Sequence, residues 1–295
     1  MQISARVYRP RRARESPLFR LVEQHLEEFP RVYPARFAKA YGPLRSVVER
    51  VARAFLTCGL VEHGFARLWC STCRTSVLVP FSCRGRSFCP SCEKKKQLLW
   101  AEWLREKLLA PVPHRHVVLT MPRLLRPLFR RRRELLGELS QAGAEAVAQA
   151  TRARLGEDVR PGIVVAIATA GDLLQWHPHL HILSTDGGFS PDGSFRPMPA
   201  WDGAEIMRIF RERLLARLVL RQAISEELVL KLFAWRHPGF SAHVGEAIPF
   251  EHKKAIEDVA CYLVRNPLSL KSHPGPKLRG HGPPGVAGAH GRSHP

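Results

Sequence analysis

Through the first third of the chain, hydrophobic side chains recur every three or four positions, as on one face of an amphipathic helix. Ser16-Pro17 has the form of an N-cap followed by a proline at the first helical position, and one such segment follows it. Further segments of this kind span residues 44–56 and 93–109. The pattern therefore predicts three helices, with a cysteine-rich stretch at 65–92 between the second and the third.

Beyond residue 113 the pattern changes, because short runs with the character of β-strands alternate with longer helical segments. Gly171-Asp172 separates two of these runs and predicts a hairpin turn. The chain is therefore expected to be an α+β protein. The predicted strands are 116–121, 163–170, 177–183 and 240–244, and the predicted helices are 134–155, 202–221, 225–235 and 251–265.

Composition shifts along the chain predict its domain boundaries. Pro111-Val112-Pro113 interrupts the helical pattern and divides the chain into residues 16–110 and 111–270. Residues 1–15 are rich in arginine and are expected to be a disordered basic arm. Residues 271–295 are rich in glycine, proline and histidine without periodicity, and we expect a disordered tail there.

The stretch from Trp176 to Leu183 places histidines at 177, 179 and 181. Alternate side chains of a strand share one face, so the three imidazoles should point the same way. Neighbouring histidines of the row lie roughly 6.6 Å apart along the backbone, and the outer pair about 13 Å apart. Two neighbours can therefore bind one divalent ion, whereas three would be strained. The row predicts a two-histidine metal site, with His177 and His181 as alternative partners of His179.

Four of the seven cysteines form two Cys-x2-Cys pairs, Cys70/Cys73 and Cys89/Cys92, with a 15-residue gap between the pairs. Such spacing is typical of a zinc ribbon, in which four thiolates bind one tetrahedral structural zinc ion. We therefore predict these four residues as the zinc ligands. Cys83 lies inside the loop and is expected to be a buried free thiol, although it could replace a ligand. Cys58 and Cys261 are expected in the core.

The charge balance narrows the class of partner. Lys and Arg total 46 against 26 Asp and Glu, giving a formal net charge of +20, which favours a polyanionic partner. The N-terminus lacks the apolar segment of a signal peptide, and no apolar run is long enough for a membrane span. The expected partner is therefore nucleic acid, without membrane association, and the expected location is the cytoplasm, at the nucleoid.

Three segments together resemble rolling-circle insertion-sequence transposases with an N-terminal zinc-binding domain, which belong to the wider HUH endonuclease group. The segments are 81–92, then the histidine strand followed by Asp186-Gly187-Gly188-Phe189, then 261–269. The resemblance covers about residues 19–270. It implies an HUH-type antiparallel sheet with flanking helices after the helical zinc-ribbon domain, with the histidines on a central strand and a tyrosine on a nearby helix.

The resemblance also implies the chemistry. His179 and His181 would hold a catalytic Mg²⁺ or Mn²⁺ ion, with His177 as the alternative ligand, and Tyr262 would be the nucleophile. Tyrosine attack on DNA phosphorus leaves a 5′-phosphotyrosyl link and a free 3′-OH. The covalent link conserves the energy of the broken phosphodiester bond, so strand transfer needs no ATP. The expected substrate is single-stranded DNA or the hairpin ends of the element. The third metal ligand stays unassigned.

Two features depart from that family. Many relatives carry a second tyrosine four residues after the first, whereas this chain has Asn266, as in the single-tyrosine branch. Relatives also continue well beyond the tyrosine helix, whereas this chain continues into its Gly/Pro/His-rich tail. The sequence therefore also suggests a C-terminally truncated and inactive copy of such a transposase.

Two other functions fit parts of the sequence. His177 to Leu183 also has the pattern of a histidine-triad nucleotide hydrolase, in which His179 would be the nucleophile. The zinc ribbon and the charge of +20 count against a small nucleotide as the substrate. The second alternative is a zinc-ribbon protein that binds DNA without catalytic activity. Metal dependence and a covalent protein–DNA adduct distinguish these possibilities.

Overall fold

The computed structural model describes residues 13–85, 88–171, 174–235 and 239–265. The predicted tail, most of the predicted arm and Asp172 of the predicted turn lie outside the described residues. Within these ranges the chain forms ten α-helices and eight β-strands, which agrees with the predicted α+β class. None of the described helices combines the length and the apolar character that a bilayer span requires.

The N-terminal part consists of helices and one exposed hairpin. As predicted, Ser16 caps the first helix, because its Oγ accepts a hydrogen bond from the Phe19 N–H at 3.2 Å. The elements are α1 Pro17–His25, α2 Phe29–Arg36, α3 Ala38–Tyr41, α4 Ser46–Leu56, β1 Phe65–Trp69, β2 Ser76–Pro80 and α5 Pro90–Trp103. The last of these helices continues into a π-helical turn, Leu104–Leu108.

A four-stranded sheet forms the centre of the rest of the chain. Its strand order is β4-β5-β3-β8 and all of its pairings are antiparallel, so the histidine strand is internal. Each strand overlaps one of the four predicted strands. The sheet strands are β3 His114–Thr120, β4 Ile163–Ala170, β5 Trp176–Thr185 and β8 Ser241–Ile248, while β6 Gly187–Phe189 and β7 Phe195–Pro197 form a small separate hairpin.

The main core lies on the face of the sheet that carries Leu180 and Ile182, both fully buried. Two long helices, residues 135–155 and 203–220, pack on this face. Gly143 of the first helix allows it to approach β5 closely, because a Cβ at this position would overlap the side chain of Leu180. Asp202 caps the second of these helices, because its Oδ1 accepts hydrogen bonds from the backbone N–H groups of Ala204 and Glu205. The remaining helices are α6 Arg126–Arg131, α7 Leu135–Leu155, α8 Gly203–Leu220, α9 Glu226–Ala234 and α10 Lys253–Leu263.

A second apolar cluster covers part of the opposite face. It joins Leu183 of β5 to Ala101 and Leu104 from the α5 region and to Ala260 and Leu263 of α10. The side chains of α5 thus contact the sheet and α10 across the predicted domain boundary at 110/111. This cluster covers one end of the histidine face, and the histidines lie beyond it.

Candidate active site

The strand β5 places the three histidines on one face of the sheet, as their alternation predicts. Across the sheet, His179 is opposite Thr120 and Ala168, and His181 is opposite Val118 and Ala166. The rings form a row, with centroids 4.9 Å apart for His177 and His179 and 4.8 Å apart for His179 and His181. His181 is buried, while the other two are half-buried.

Hydrogen bonding fixes the tautomer of His179. Its Nδ1 lies 2.8 Å from the backbone carbonyl oxygen of His177, and a carbonyl oxygen only accepts, so Nδ1 carries the hydrogen. The lone pair of His179 is therefore on Nε2. A histidine that donates one ring N–H to a carbonyl and offers the other nitrogen is the usual arrangement of a metal ligand.

His181 has a neighbour that the sequence did not single out as a site residue. Its Nδ1 lies 3.2 Å from Nε2 of His116 on β3, and the two rings stack with centroids 5.3 Å apart. When Nδ1 of His181 is the donor, its Nε2 has the free lone pair, as in His179. His116 was assigned only to a predicted strand, because a sequence does not specify the register of that strand against β5.

The environment keeps both of these histidines neutral. Burial lowers the pKa of His181 to about 3, with His179 and His116 contributing in the same direction. Burial also lowers the pKa of His116, and His243 on β8 adds to this effect. Neutral imidazole is the form that binds metal ions. His179 and His181 therefore offer neutral imidazole nitrogens, which are possible ligands for a divalent cation.

Tyr262 on α10 lies beside this pair of histidines. Its ring centroid is 5.0 Å from that of His181 and 5.9 Å from that of His116, in edge-to-face arrangements. The side chain is 44% exposed, so a large molecule can reach it. The guanidinium of Arg265 lies 5.9 Å from the centroid of the Tyr262 ring. Asn266, on which the single-tyrosine interpretation rests, lies outside the described residues.

The cysteine cluster differs from the predicted one. Cys58, Cys83, Cys89 and Cys92 offer four thiols within 4.8 Å of one another, and no other metal-binding group of three or more ligands occurs in the described ranges. Sγ–Sγ distances of 3.5, 3.6 and 3.7 Å join Cys92 to Cys58, Cys92 to Cys83 and Cys89 to Cys58. Four thiolates on one zinc ion would lie about 3.8 Å apart, so the donor set fits zinc.

Local structure explains this grouping. Cys58 follows α4, Cys83 follows β2, and Cys89 and Cys92 lie at the start of α5, so three elements converge on the cluster. The predicted partners Cys70 and Cys73 are instead exposed at the tip of the β1–β2 hairpin and are not part of the cluster. The spacing grouped Cys89 with Cys92, as the structure does, but their partners are Cys58 and Cys83, which had been expected as a core residue and a free thiol, rather than Cys70 and Cys73.

Two family descriptions match the chain. Residues 26–121 match the family described as "Transposase zinc-binding domain", and residues 162–272 match the family described as "Putative transposase". The first range includes all four clustered cysteines and His116. The second includes the histidine strand and Tyr262. The two matches therefore cover both candidate metal sites and the candidate nucleophile.

Two curated proteins are similar over about half of the chain. One is "Transposase for insertion sequence element IS801" from Pseudomonas savastanoi pv. phaseolicola, 32% identical over 157 residues, or 52% of this chain and 37% of that protein. The other is "Putative transposase y4qJ" from Sinorhizobium fredii (strain NBRC 101917 / NGR234), 31% identical over 167 residues, or 56% of this chain and 41% of that protein. The matched part thus spans about two fifths of each relative's length. No solved structure matches the chain.

Proposed function

Because the chain belongs to the insertion-sequence transposases with an N-terminal zinc-binding domain, we propose that it nicks single-stranded DNA by tyrosine attack and transfers the strand. The observation that carries this proposal is the position of Tyr262, whose partly exposed ring has its centroid 5.0 Å from that of His181. The antiparallel sheet with an internal histidine strand supports an HUH-type arrangement.

Two histidines are the proposed ligands of the catalytic Mg²⁺ or Mn²⁺ ion. Nε2 of His179 and Nε2 of His181 supply the lone pairs, and His177 is the alternative partner of His179. When bound, the ion would polarise the scissile phosphate and neutralise developing negative charge. His116 orients His181 through the contact between their ring nitrogens, and the buried Leu180 and Ile182 hold the strand in place.

Tyr262 supplies the nucleophilic oxygen. The phenolic oxygen attacks phosphorus, a new P–O bond forms to the tyrosine, and the P–O bond to the 3′ oxygen breaks. The phenol loses its proton as it attacks, and the departing 3′ oxygen takes up one proton, so the strand leaves with a free 3′-OH. Because the 5′ phosphate stays covalently linked, a later attack by a 3′-OH restores a phosphodiester without ATP.

The cysteine cluster is proposed to hold a structural zinc ion. Its four thiols join the end of α4, the loop after β2 and the start of α5. The same helix α5 packs against α10, which carries Tyr262. The zinc ion would therefore hold α5 in the position from which it supports α10. This structural role needs no open coordination position on the zinc.

The charge of the chain supports DNA as the partner. A formal net charge of +20 attracts phosphates, and single-stranded DNA bends more easily into a narrow site than a duplex. We place the protein in the cytoplasm, at the nucleoid, where such DNA is available. Preference for hairpin ends of the element belongs to the same proposal.

A covalent-adduct assay tests the proposed chemistry. The full chain is incubated with Mn²⁺ and a random-sequence pool of single-stranded oligonucleotides that carry a fluorophore at the 3′ end. Attack by Tyr262 leaves the labelled 3′ fragment on the protein, so a fluorescent protein band should persist in a denaturing gel. The Tyr262→Phe variant should lose this band, whereas Tyr41→Phe, at an exposed tyrosine of α3, should keep it.

Two outcomes of this assay would contradict the proposal. An adduct that forms equally without Mn²⁺ or Mg²⁺ would contradict the metal-dependent mechanism and favour histidine-triad chemistry at His179. If DNA binds but neither the unaltered chain nor Tyr262→Phe forms an adduct, the chain is a DNA-binding protein without nicking activity, and the proposal fails.

A further inference from the structure

The β1–β2 hairpin is exposed throughout. Every residue from 65 to 79 is exposed, and in the described part of the chain each of the two strands pairs only with the other. A two-stranded hairpin with no packing partner is at best marginally stable in water. This hairpin is nevertheless rich in large apolar side chains, so its surface is typical of a segment that a partner covers.

One face of the hairpin is apolar along its length. The pairings place Ala66 opposite Val79 and Leu68 opposite Val77, so these four side chains share a face. Their large members are 41–61% exposed. The other face carries Phe65, Trp69 and Leu78 together with Arg67. The hairpin contains no acidic residue between 65 and 79.

The tip of the hairpin has the backbone of a metal-binding knuckle. The Cys70 N–H donates to the carbonyl oxygen of Thr75 at 2.9 Å, and Arg74 has a φ of 53°, so the chain turns sharply after the second cysteine. The thiols of Cys70 and Cys73 are both exposed. Two thiols with this spacing supply half of a tetrahedral zinc site.

The described part of the chain does not complete this half-site. The four other cysteines of the zinc-binding region already form their own cluster, and no third Cys, His, Asp or Glu in the described residues joins Cys70 and Cys73. Cys261 does not join Cys70 and Cys73 either, and its thiol contacts the backbone oxygen of Gln97 on α5 instead. The missing ligands must therefore come from elsewhere.

We infer that a second copy of this chain completes the site, so that the Cys70/Cys73 pairs of two copies share one zinc ion. A two-fold axis through the ion would present the same two thiols from each copy, which is the simplest way to close a half-site. The same axis would let the apolar faces at Leu68 and Val77 cover one another. The proposal does not depend on the DNA chemistry proposed above.

Charge also favours this arrangement. Four thiolates around one Zn²⁺ ion leave an excess of negative charge at the hairpin tips. Arg74 follows Cys73 directly in each copy and supplies a compensating positive charge. The bridged site therefore brings opposite charges together, whereas two hairpin tips without the thiolate–zinc centre would bring only arginines together.

Zinc content and mass test the inference together. The full chain, kept in a non-thiol reductant to exclude disulfides, is measured by metal analysis and by light scattering during gel filtration. The four-cysteine cluster accounts for one zinc ion per chain and the shared site for half an ion, so we expect about 1.5 thiolate-bound ions per chain. The expected mass is twice that of the 33.3 kDa chain.

Three variants sharpen the result. Cys70→Ser/Cys73→Ser should reduce zinc to about one ion per chain and the mass to that of a monomer. Cys261→Ser should change neither quantity. Because Cys70 and Cys73 are exposed at a hairpin tip, the double variant should keep its thermal transition, whereas Cys58→Ser in the four-cysteine cluster should lower it.

Several outcomes would overturn the inference. A monomer with about two zinc ions per chain would mean that the second ion is held within one chain, either by Cys70 and Cys73 with ligands outside the described residues or by the histidine row. A monomer with about one ion would mean that the hairpin binds no zinc. A dimer that persists in Cys70→Ser/Cys73→Ser would mean that another surface holds the copies together.

Discussion

At the scale of single residues, the contact between His116 and His181 decides how the histidine row can function. His116 Nε2 lies 3.2 Å from His181 Nδ1, on the side of the ring away from the nitrogen that we propose as the metal ligand. A neighbour in this position fixes the ring orientation and the tautomer of a ligand. His116 is therefore a positioning residue, and its loss should weaken the site without removing a ligand.

The substitution His116→Ala should weaken Mn²⁺ binding about 10- to 100-fold, because the orientation of His181 is no longer fixed. His116→Gln should recover part of the affinity, since the amide can accept a hydrogen bond at a similar position. Isothermal titration with Mn²⁺ on protein whose zinc content is unchanged measures the effect. His25→Ala, at an exposed histidine of α1, should bind Mn²⁺ like the unaltered chain.

Unchanged affinity in His116→Ala would contradict the positioning role. Equal loss in His116→Ala and His116→Gln would indicate that His116 acts through packing rather than through its hydrogen bond.

The cysteines show where residue-level reasoning from the sequence succeeds and fails. The short spacing of Cys89 and Cys92 predicted that they lie together, and both belong to the four-thiol cluster, because a two-residue gap lets both thiols reach one point. Cys58 and Cys83 have no such neighbours in the sequence, and only the convergence of α4, the loop after β2 and α5 brings them in. Cys70 and Cys73 have the favourable spacing but lie at a hairpin tip away from the cluster.

At the scale of elements, periodicity predicted where most helices and strands lie along the chain, but not how they pack against one another. Helices α7, α8 and α9 and the four sheet strands lie close to their predicted positions, since amphipathic patterns and caps at Asp202 and Ser225 are local signals. The packing of α5 on α10 was not predictable, because the break at 111–113 suggested separate domains. Ala101 and Ala260 allow that contact, and they are small residues with no distinctive pattern in the sequence.

The contact between α7 and α8 depends on an ion-pair network as well as on apolar packing. Glu138 on α7 accepts hydrogen bonds from Arg217 at 2.9 Å and from Arg221 at 2.7 Å, and its side chain is only 9% exposed. Arg217 also pairs with Glu145. Arg217, followed by Arg221, lowers the pKa of Glu138 below its ordinary value of 4.5.

The substitution Glu138→Ala should reduce the free energy of unfolding by about 1–2 kcal/mol at neutral pH, as measured by urea denaturation. The native pKa is below the unfolded one, so this contribution is present above pH 4.5 and is lost as the pH falls through the native pKa. The difference between the two proteins should therefore shrink in acid. Glu157→Ala, at an 89% exposed partner of Arg152, should cost less than about 0.5 kcal/mol.

A difference between Glu138→Ala and the unaltered chain that stays constant down to pH 3 would show that the charge of Glu138 is not the source of the stability.

At the scale of the whole molecule, the charge of +20 must be placed on particular surfaces. A run of arginines lies at the end of α6 and just after it, and Arg130, Arg131 and Arg133 are exposed. The guanidinium of Arg133 lies 5.0 Å from the centroid of the Trp176 ring, at the start of the histidine strand. This basic run therefore lies beside the start of the histidine strand, next to the face on which Trp176 packs.

The variant Arg131→Ala/Arg133→Ala should bind single-stranded DNA more weakly, and the slope of log affinity against log salt should fall by about 1.4. Fluorescence anisotropy with a labelled oligo-dT over a salt series gives the slope. Arg208→Ala/Arg213→Ala removes the same charge from exposed positions of α8, on the other side of the sheet from the histidines. That pair should change the slope much less, and an equal change would show that DNA does not follow the α6 surface.

The central claim is that Tyr262 is the nucleophile of a metal-dependent nick. Its most direct test is peptide mapping by mass spectrometry of the covalent adduct formed with Mn²⁺ and single-stranded DNA, after nuclease digestion of the bound strand. We predict that the nucleotide-bearing peptide contains Tyr262 and that the modification lies on its phenolic oxygen. A modified peptide that carries His179 or any other tyrosine instead would contradict the claim.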